Sequence, residues 1–191
     1  TYTTRAVAPL IDRPMDLIGH RLGATVALRI AVAAHEAVRS LTLIETVLVA
    51  AAPAPAHDAV LEDLTALVDA GQSEEATRRF LAIWGGLDWS EQTESGRARL
   101  ARQMRLVVEG NRTLMQDGAN ILREGGLEGI DAPVLIAMGA DSPAVIADIA
   151  DALAARLPDV GRAKVPDAGH MLPITHPRQV TELIGLNLDR A

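Results

Sequence analysis

The sequence predicts an α/β fold: helices covering a parallel sheet, with an all-helical segment inserted between two parts of that sheet. Three observations carry this expectation. A short apolar run at residues 15–18 leads through a glycine-flanked turn into an alanine-rich segment of helical period, then into a second apolar run at residues 40–44. Strand, helix and strand joined by short links form a βαβ unit, which requires parallel strands and a right-handed crossover. A third run, residues 133–138, is continuously apolar, as suits a strand buried on both faces.

Taken in order, residues 7–11 read as the end of a helix, stopped by Asp12-Arg13-Pro14 because proline cannot continue one. Met15, Leu17 and Ile18 mark the first strand. Leu22, Val26, Ile30 and Ala34 recur every fourth residue and mark a helix over residues 22–34. Leu41, Leu43 and Ile44 mark the second strand. From Pro53 to Gly126 the periodicity is helical throughout, with breaks expected at Gly71, Gly85-Gly86, Ser95-Gly96 and Gly125-Gly126. The sheet then resumes at residues 133–138. A loop follows at 139–143, then an amphipathic helix at 144–157, a weakly signalled edge strand at 162–165, a loop at 167–170 and a closing helix at 180–188. This divides one overall domain into a core part (1–52), a helical cap insertion (53–126) and a second core part (127–191).

Composition narrows the function classes. Acidic residues outnumber basic ones 25 to 18, so the surface has no general attraction for nucleic acid or anionic membrane. Aromatics are 2% of residues, too few for base-stacking platforms, and the core must be aliphatic. Arg97, Arg99, Arg102 and Arg105 lie at helical spacing near Glu94 and Glu109, which suits a solvated helix face. The absence of cysteine excludes thiol nucleophiles and thiolate metal sites and fits a cytoplasmic setting. The longest apolar stretch, residues 47–56, is broken by Pro53 and Pro55 and is short for a membrane span. No histidine pair has ligand spacing and no G-x-G-x-x-G loop occurs, so no metal or cofactor is expected.

The chemistry gathers at two places. Gly19-His20-Arg21-Leu22-Gly23 joins the first strand to the first core helix, and Pro166-Asp167-Ala168-Gly169-His170-Met171-Leu172-Pro173 precedes His176-Pro177. Together with residues 38–45, and in this order, these sequences resemble the α/β-hydrolase fold family, in its lipase- and esterase-like members. The resemblance extends over essentially the whole chain. It implies a nucleophile elbow, G-x-S-x-G, in which Arg21 stands at the serine position. A guanidinium stays protonated and cannot attack a carbonyl.

The resemblance further implies that His170 is the general base and that the Leu22 N–H is one oxyanion donor. The acid is expected after residues 133–138. Asp141 is the only carboxylate in that loop, one residue before the usual spacing, with Ser142 at the usual place; the same Asp141 also suits a turn or helix cap. Glu45, after the second strand, is the lesser candidate. His20, Trp84, Trp89 and Met171 are candidate pocket residues, the two tryptophans equally suiting the docking of a cap. His20 is also expected to bond backbone, His176 to open a helix, and His35 and His57 to lie at the surface.

The family's sheet begins several strands earlier, so the edge at residues 15–18 is expected to be open: either the chain is a fragment, or a second copy or another partner covers that edge. Three readings of function follow. One is hydrolysis of an ester- or amide-type bond in a small apolar substrate, impaired by Arg21. The second is a non-catalytic relative that binds a small carboxylate or phosphate. The third is a structural subunit with a sheet-edge interface.

Overall fold

Residues 2–191 are described by a computed structural model, the side chains at 112 and 113 excepted. Among them lie strands β1 (Met15–His20), β2 (Val38–Ile44), β3 (Val134–Gly139) and β4 (Val160–Val165), all parallel and in that spatial order. Helix α1 (Tyr2–Val7) precedes the sheet. Helix α2 (Leu22–Ala33) links β1 to β2, and α3 (Pro55–Asp69), α4 (Ser73–Trp84) and α5 (Glu94–Met115) lie between β2 and β3. Helix α6 (Ala144–Ala154) links β3 to β4, followed by α7 (Leu172–Thr175) and α8 (Pro177–Leu188).

The period of two along each strand sorts the core into two layers. Leu41, Leu43, Val134 and Ile136 face α2 and α6, packing on Leu28, Ile146, Ile149 and Leu153. Ile44, Ala137 and Val165 face the opposite side, against Leu172 and Val180 of α7 and α8. The spatial order matches the chain order, so right-handed crossovers leave α2 and α6 on one face and free the other for α8. Asn187 of α8 is the polar exception there; its amide donates to Leu41 O and Thr42 Oγ1, both at 3.1 Å.

Several boundaries differ from expectation. β2 begins at Val38, two residues early, because Asp16 on β1 takes bonds from Arg39 Nε (2.9 Å) and the Ser40 hydroxyl (2.8 Å). β4 begins at Val160 rather than at residue 162 and pairs along its length with β3. The expected break at Ser95-Gly96 falls instead at Thr93, whose hydroxyl caps α5 by accepting from Gly96 N at 3.1 Å. α8 begins at Pro177, where the missing N–H costs nothing. Residues 116–133 form turns rather than helix. There Asp117 accepts from Ile121 N (2.9 Å) and Leu122 N (2.8 Å), and Arg156 donates to Leu122 O (2.9 Å) and Arg123 O (2.9 Å). Side chains thus satisfy backbone groups that a helix would have paired.

β1 has one strand neighbour among the described residues, and Ile18 on it is 49% exposed. The Asp16–Arg39 ion pair beside it is the kind of charge that discourages pairing at a sheet edge. No helix among the described residues is long and apolar enough to cross a membrane.

Candidate active site

Arg21, Glu45 and His170 stand past the carboxyl ends of strands, where open α/β sheets hold their ligands. The register aligns these ends. Arg21 N donates to Ile44 O (2.9 Å), Glu45 N to Ala137 O (2.9 Å) and Ala140 N to Val165 O (2.8 Å). The residues that follow β1, β2, β3 and β4 therefore meet at one level.

The turn after β1 has the elbow's geometry. Arg21 adopts φ 56°, ψ −121°, a region that non-glycine residues rarely occupy, and α2 starts at the next residue. Gly19 makes this turn feasible, since a Cβ there would lie 2.5 Å from Ala24 Cα and Ala24 N. These are backbone atoms, so no rotamer change relieves the clash. Gly19→Ala is accordingly expected to destabilise the fold by about 3 kcal/mol, read as a lower denaturation midpoint at unchanged slope.

Gly139 plays the matching part for the histidine loop. A Cβ on it would lie 2.6 Å from Ala168 C and 2.9 Å from Gly169 O. That close approach carries His170 onto the end of β2. Its Nδ1 is 2.7 Å from Glu45 Oε2, and both side chains are fully buried. Glu45, at φ 52°, also accepts on Oε1 from the Gly139 N–H and from the Ser142 hydroxyl at 2.9 Å. An acceptor on that side fixes the tautomer: Nδ1 carries the proton and Nε2 is bare. His170 Nε2 is buried without a partner. Burial pushes the imidazole below its ordinary pKa against the raising effect of the Glu45 hydrogen bond, and the nearby Arg21 charge lowers it further.

The expectation of Asp141 as the histidine's acid is therefore corrected: the carboxylate on His170 belongs to Glu45. Asp141 is exposed, and its backbone N–H ties the loop to Ala168 O at 2.9 Å. Ser142, at the position where the acid was expected, reaches the same centre as a donor to Glu45. The signal for Glu45 was present as a single carboxylate ending an apolar strand, but only the β2–β4 arrangement brings it to the histidine.

The guanidinium of Arg21 contacts Met171 Sδ (3.5 Å) and lies 5.6 Å from the centre of the Phe80 ring. No ion pair ties it to a carboxylate among the described residues. Burial pushes its pKa below the ordinary guanidinium value, opposed by the charge of Glu45. It still carries its charge at neutral pH.

Arg21, Leu22, His20, Trp84 and Met171 line a cavity of about 590 Å³ between the sheet end and helices α3 to α5. Its walls are largely aliphatic and aromatic, among them Leu61, Phe80, Met104 and Val107. Trp84, on α4, sits 4.5 Å from the His170 ring and 6.0 Å from Phe80. His20 Nε2 donates to His170 O at 2.9 Å, as expected of a backbone-bonded residue. Leu22 stands at the start of α2, where the first N–H groups have no partner within a helix.

Two expectations fail here. Trp89 does not line the cavity; it stacks under Arg97, 5.5 Å from the guanidinium carbon. His57 is not a surface residue, for it lines the cavity edge-on to Trp84 at 5.5 Å. α3 turns inward one face that includes Leu61 and Leu64, and His57 is one turn before Leu61 on it. His176 does open α8, and Arg99, Arg102 and Arg105 of α5 are exposed, with Arg105 on Glu109 at 3.0 Å, whereas Arg97 is half-buried and donates to Trp89 O (3.2 Å) and Ser90 O (3.0 Å).

Comparison with known proteins agrees with this geometry. The chain is 32% identical over 189 residues to the pimeloyl-[acyl-carrier protein] methyl ester esterase of Methylococcus capsulatus, covering 94% of this chain and 72% of that protein. A hydrolase from Pseudomonas aeruginosa PA01 superposes with a TM-score of 0.68 at 23% identity, over 100% of this chain and 70% of its own. The enol-lactonase of Burkholderia xenovorans LB400 superposes with a TM-score of 0.66 at 16% identity, over 97% and 71%. The last two share the fold. With a match to the alpha/beta hydrolase family over residues 1–183, besides the elbow and the buried His170–Glu45 pair, the chain belongs to the alpha/beta hydrolase family.

Proposed function

We propose that this chain is a hydrolase-fold binding protein for a small apolar molecule with an anionic head, and that serine-type hydrolysis is impaired in it. The observation that carries this reading is the Arg21 guanidinium, which stands on the tight turn after β1 in a largely apolar cavity, with no ion pair to a carboxylate among the described residues. A half-buried cation facing apolar walls is under-satisfied until an anion arrives. The α2 N-terminus beside it favours the same sign of charge. A volume of about 590 Å³ suits one small molecule with an aliphatic tail.

Calorimetric titration with octanoate and with methyl octanoate tests this. The acid is expected to bind and its neutral ester to bind at least about tenfold more weakly, since charge-assisted hydrogen bonds contribute about 1.5–3 kcal/mol. Arg21→Met keeps the apolar contacts and removes the charge, so it should level the two affinities. Equal binding of octanoate by both proteins would remove the basis of the reading.

A second reading is favoured by the intact His170–Glu45 pair, which a pure binding protein does not need. It is the reaction of the family: hydrolysis of an ester- or amide-type bond in a small apolar substrate. The curated relative is a methyl ester esterase, so the bond it cleaves is of the ester type. On this reading, turnover awaits a nucleophile that Arg21 does not provide.

A further inference from the structure

Trp84 holds a donor that nothing in the fold uses. Its side chain is 6% exposed and lines the cavity, and its indole Nε1 is buried without a hydrogen-bond partner. An indole N–H can only donate, and buried tryptophans ordinarily find an acceptor. Rotation cannot relieve the orphan, because three rings hold the indole: His170 at 4.5 Å, His57 edge-on at 5.5 Å and Phe80 stacked at 6.0 Å. Arg21 leans on the same Phe80 ring and on Met171, the residue after His170. Arg21 at the elbow and Trp84 on α4 thus both touch the Phe80 ring and line one cavity.

Building on the binding reading above, we infer that the Trp84 indole N–H is the second headgroup donor, so that the ligand is the carboxylate of an apolar acid held between the elbow and α4. A carboxylate offers two acceptor oxygens, one for the guanidinium and one for the indole. A phosphate brings more charge and at least one further oxygen, which those two donors leave unmet. The Thr77 hydroxyl is spent on Ser73 O at 2.7 Å, and His20 Nε2 on His170 O. The bare Nε2 of His170 presents a lone pair, which repels a second negative charge. Because one donor belongs to the sheet end and the other to α4, the headgroup ties these two parts of the molecule together.

The test uses Trp89→Phe as parent, which leaves Trp84 as the only tryptophan and alters a residue outside the cavity. Octanoate, octyl phosphate and octanol are titrated while the emission is followed. Octanoate is expected to shift the Trp84 emission saturably and more than octanol does, and to bind more tightly than octyl phosphate. Adding Trp84→Phe should weaken octanoate about tenfold and octanol by much less, since it removes the indole donor and keeps an aromatic ring. That affinity is read by calorimetry. Unchanged octanoate affinity in Trp84→Phe, with Arg21→Met still abolishing the preference for the acid, overturns this inference and spares the binding reading. Equal losses for octanoate and octanol mark Trp84 as structural and overturn it too. Tighter octyl phosphate overturns the carboxylate assignment. No binding of any of the three overturns both. Should Trp84→Phe fail to fold, the emission difference between octanoate and octanol in the parent decides alone.

Discussion

Replacing Arg21 by serine is expected to make the protein react covalently with a fluorophosphonate at position 21, where the parent does not react. The pieces such a reaction needs are already present. A hydroxyl at position 21 would stand on the same strained turn, and His170 Nε2 has no hydrogen-bond partner of its own. That nitrogen would take the hydroxyl's proton while Nδ1–H remains on Glu45, which stabilises the imidazolium. The developing oxyanion would take the Leu22 N–H.

Loss of a triad nucleophile costs on the order of 10⁶ in rate. Arg21→Ser should therefore hydrolyse a short aryl ester at least about 10³ times faster than the parent. Arg21→Ala separates the nucleophile from mere loss of the cation, and should stay silent. Arg21→Ser combined with His170→Ala should lose labelling. A correctly folded Arg21→Ser that reacts with nothing would sink the elbow assignment.

The second large effect concerns stability. Glu45→Ala strips the acceptor from three buried or half-buried donors at once: the His170 ring, the Gly139 N–H and the Ser142 hydroxyl. Removing one member of a buried pair typically costs about 3–5 kcal/mol. Urea denaturation should show a loss of that size. Glu45→Gln should cost less, because the amide oxygen still serves Gly139 and Ser142; its NH2 group then faces His170 and demands the other tautomer. Asp141→Ala, on an exposed side chain, should move stability by no more than about 0.5 kcal/mol. If Asp141→Ala proved as damaging as Glu45→Ala, the assignment of the acid would be reversed. In the Arg21→Ser background, Glu45→Gln should also depress labelling while Asp141→Ala leaves it intact.

Much of the molecule was legible in its residues. The apolar runs around Leu17, Leu41 and Leu135 announced three strands, and the four-residue recurrence from Leu22 to Ile30 announced the helix between the first two. Strand β4 was faint because Gly161, Arg162 and Lys164 dilute its pattern; it is a strand mainly because β3 offers it a full ladder. Residues 116–133 misled in the other direction. Their composition allows helix, but the Asp117 and Arg156 side chains occupy the backbone groups that a helix would pair. Trp89 and His57 exchanged roles because cavity or surface depends on which helix face turns inward, and neighbours far along the chain set that.

What the sequence determined by itself is local: the order of strands and helices, the tight turn at Gly19–Gly23, the histidine loop, and the charged residue on that turn. These follow from periodicity, glycine placement and side-chain chemistry, all of which act within a few residues. What the tertiary structure alone decided is which carboxylate meets the histidine, which tryptophan faces the cavity, and that no carboxylate among the described residues forms an ion pair with Arg21. Glu45 and His170 are 125 residues apart in the chain, and they meet because parallel register sets the carboxyl ends of β2 and β4 at one level. Sequence spacing carries no information about that level. It is fixed by ladder hydrogen bonds and by the close backbone approach that Gly139 permits.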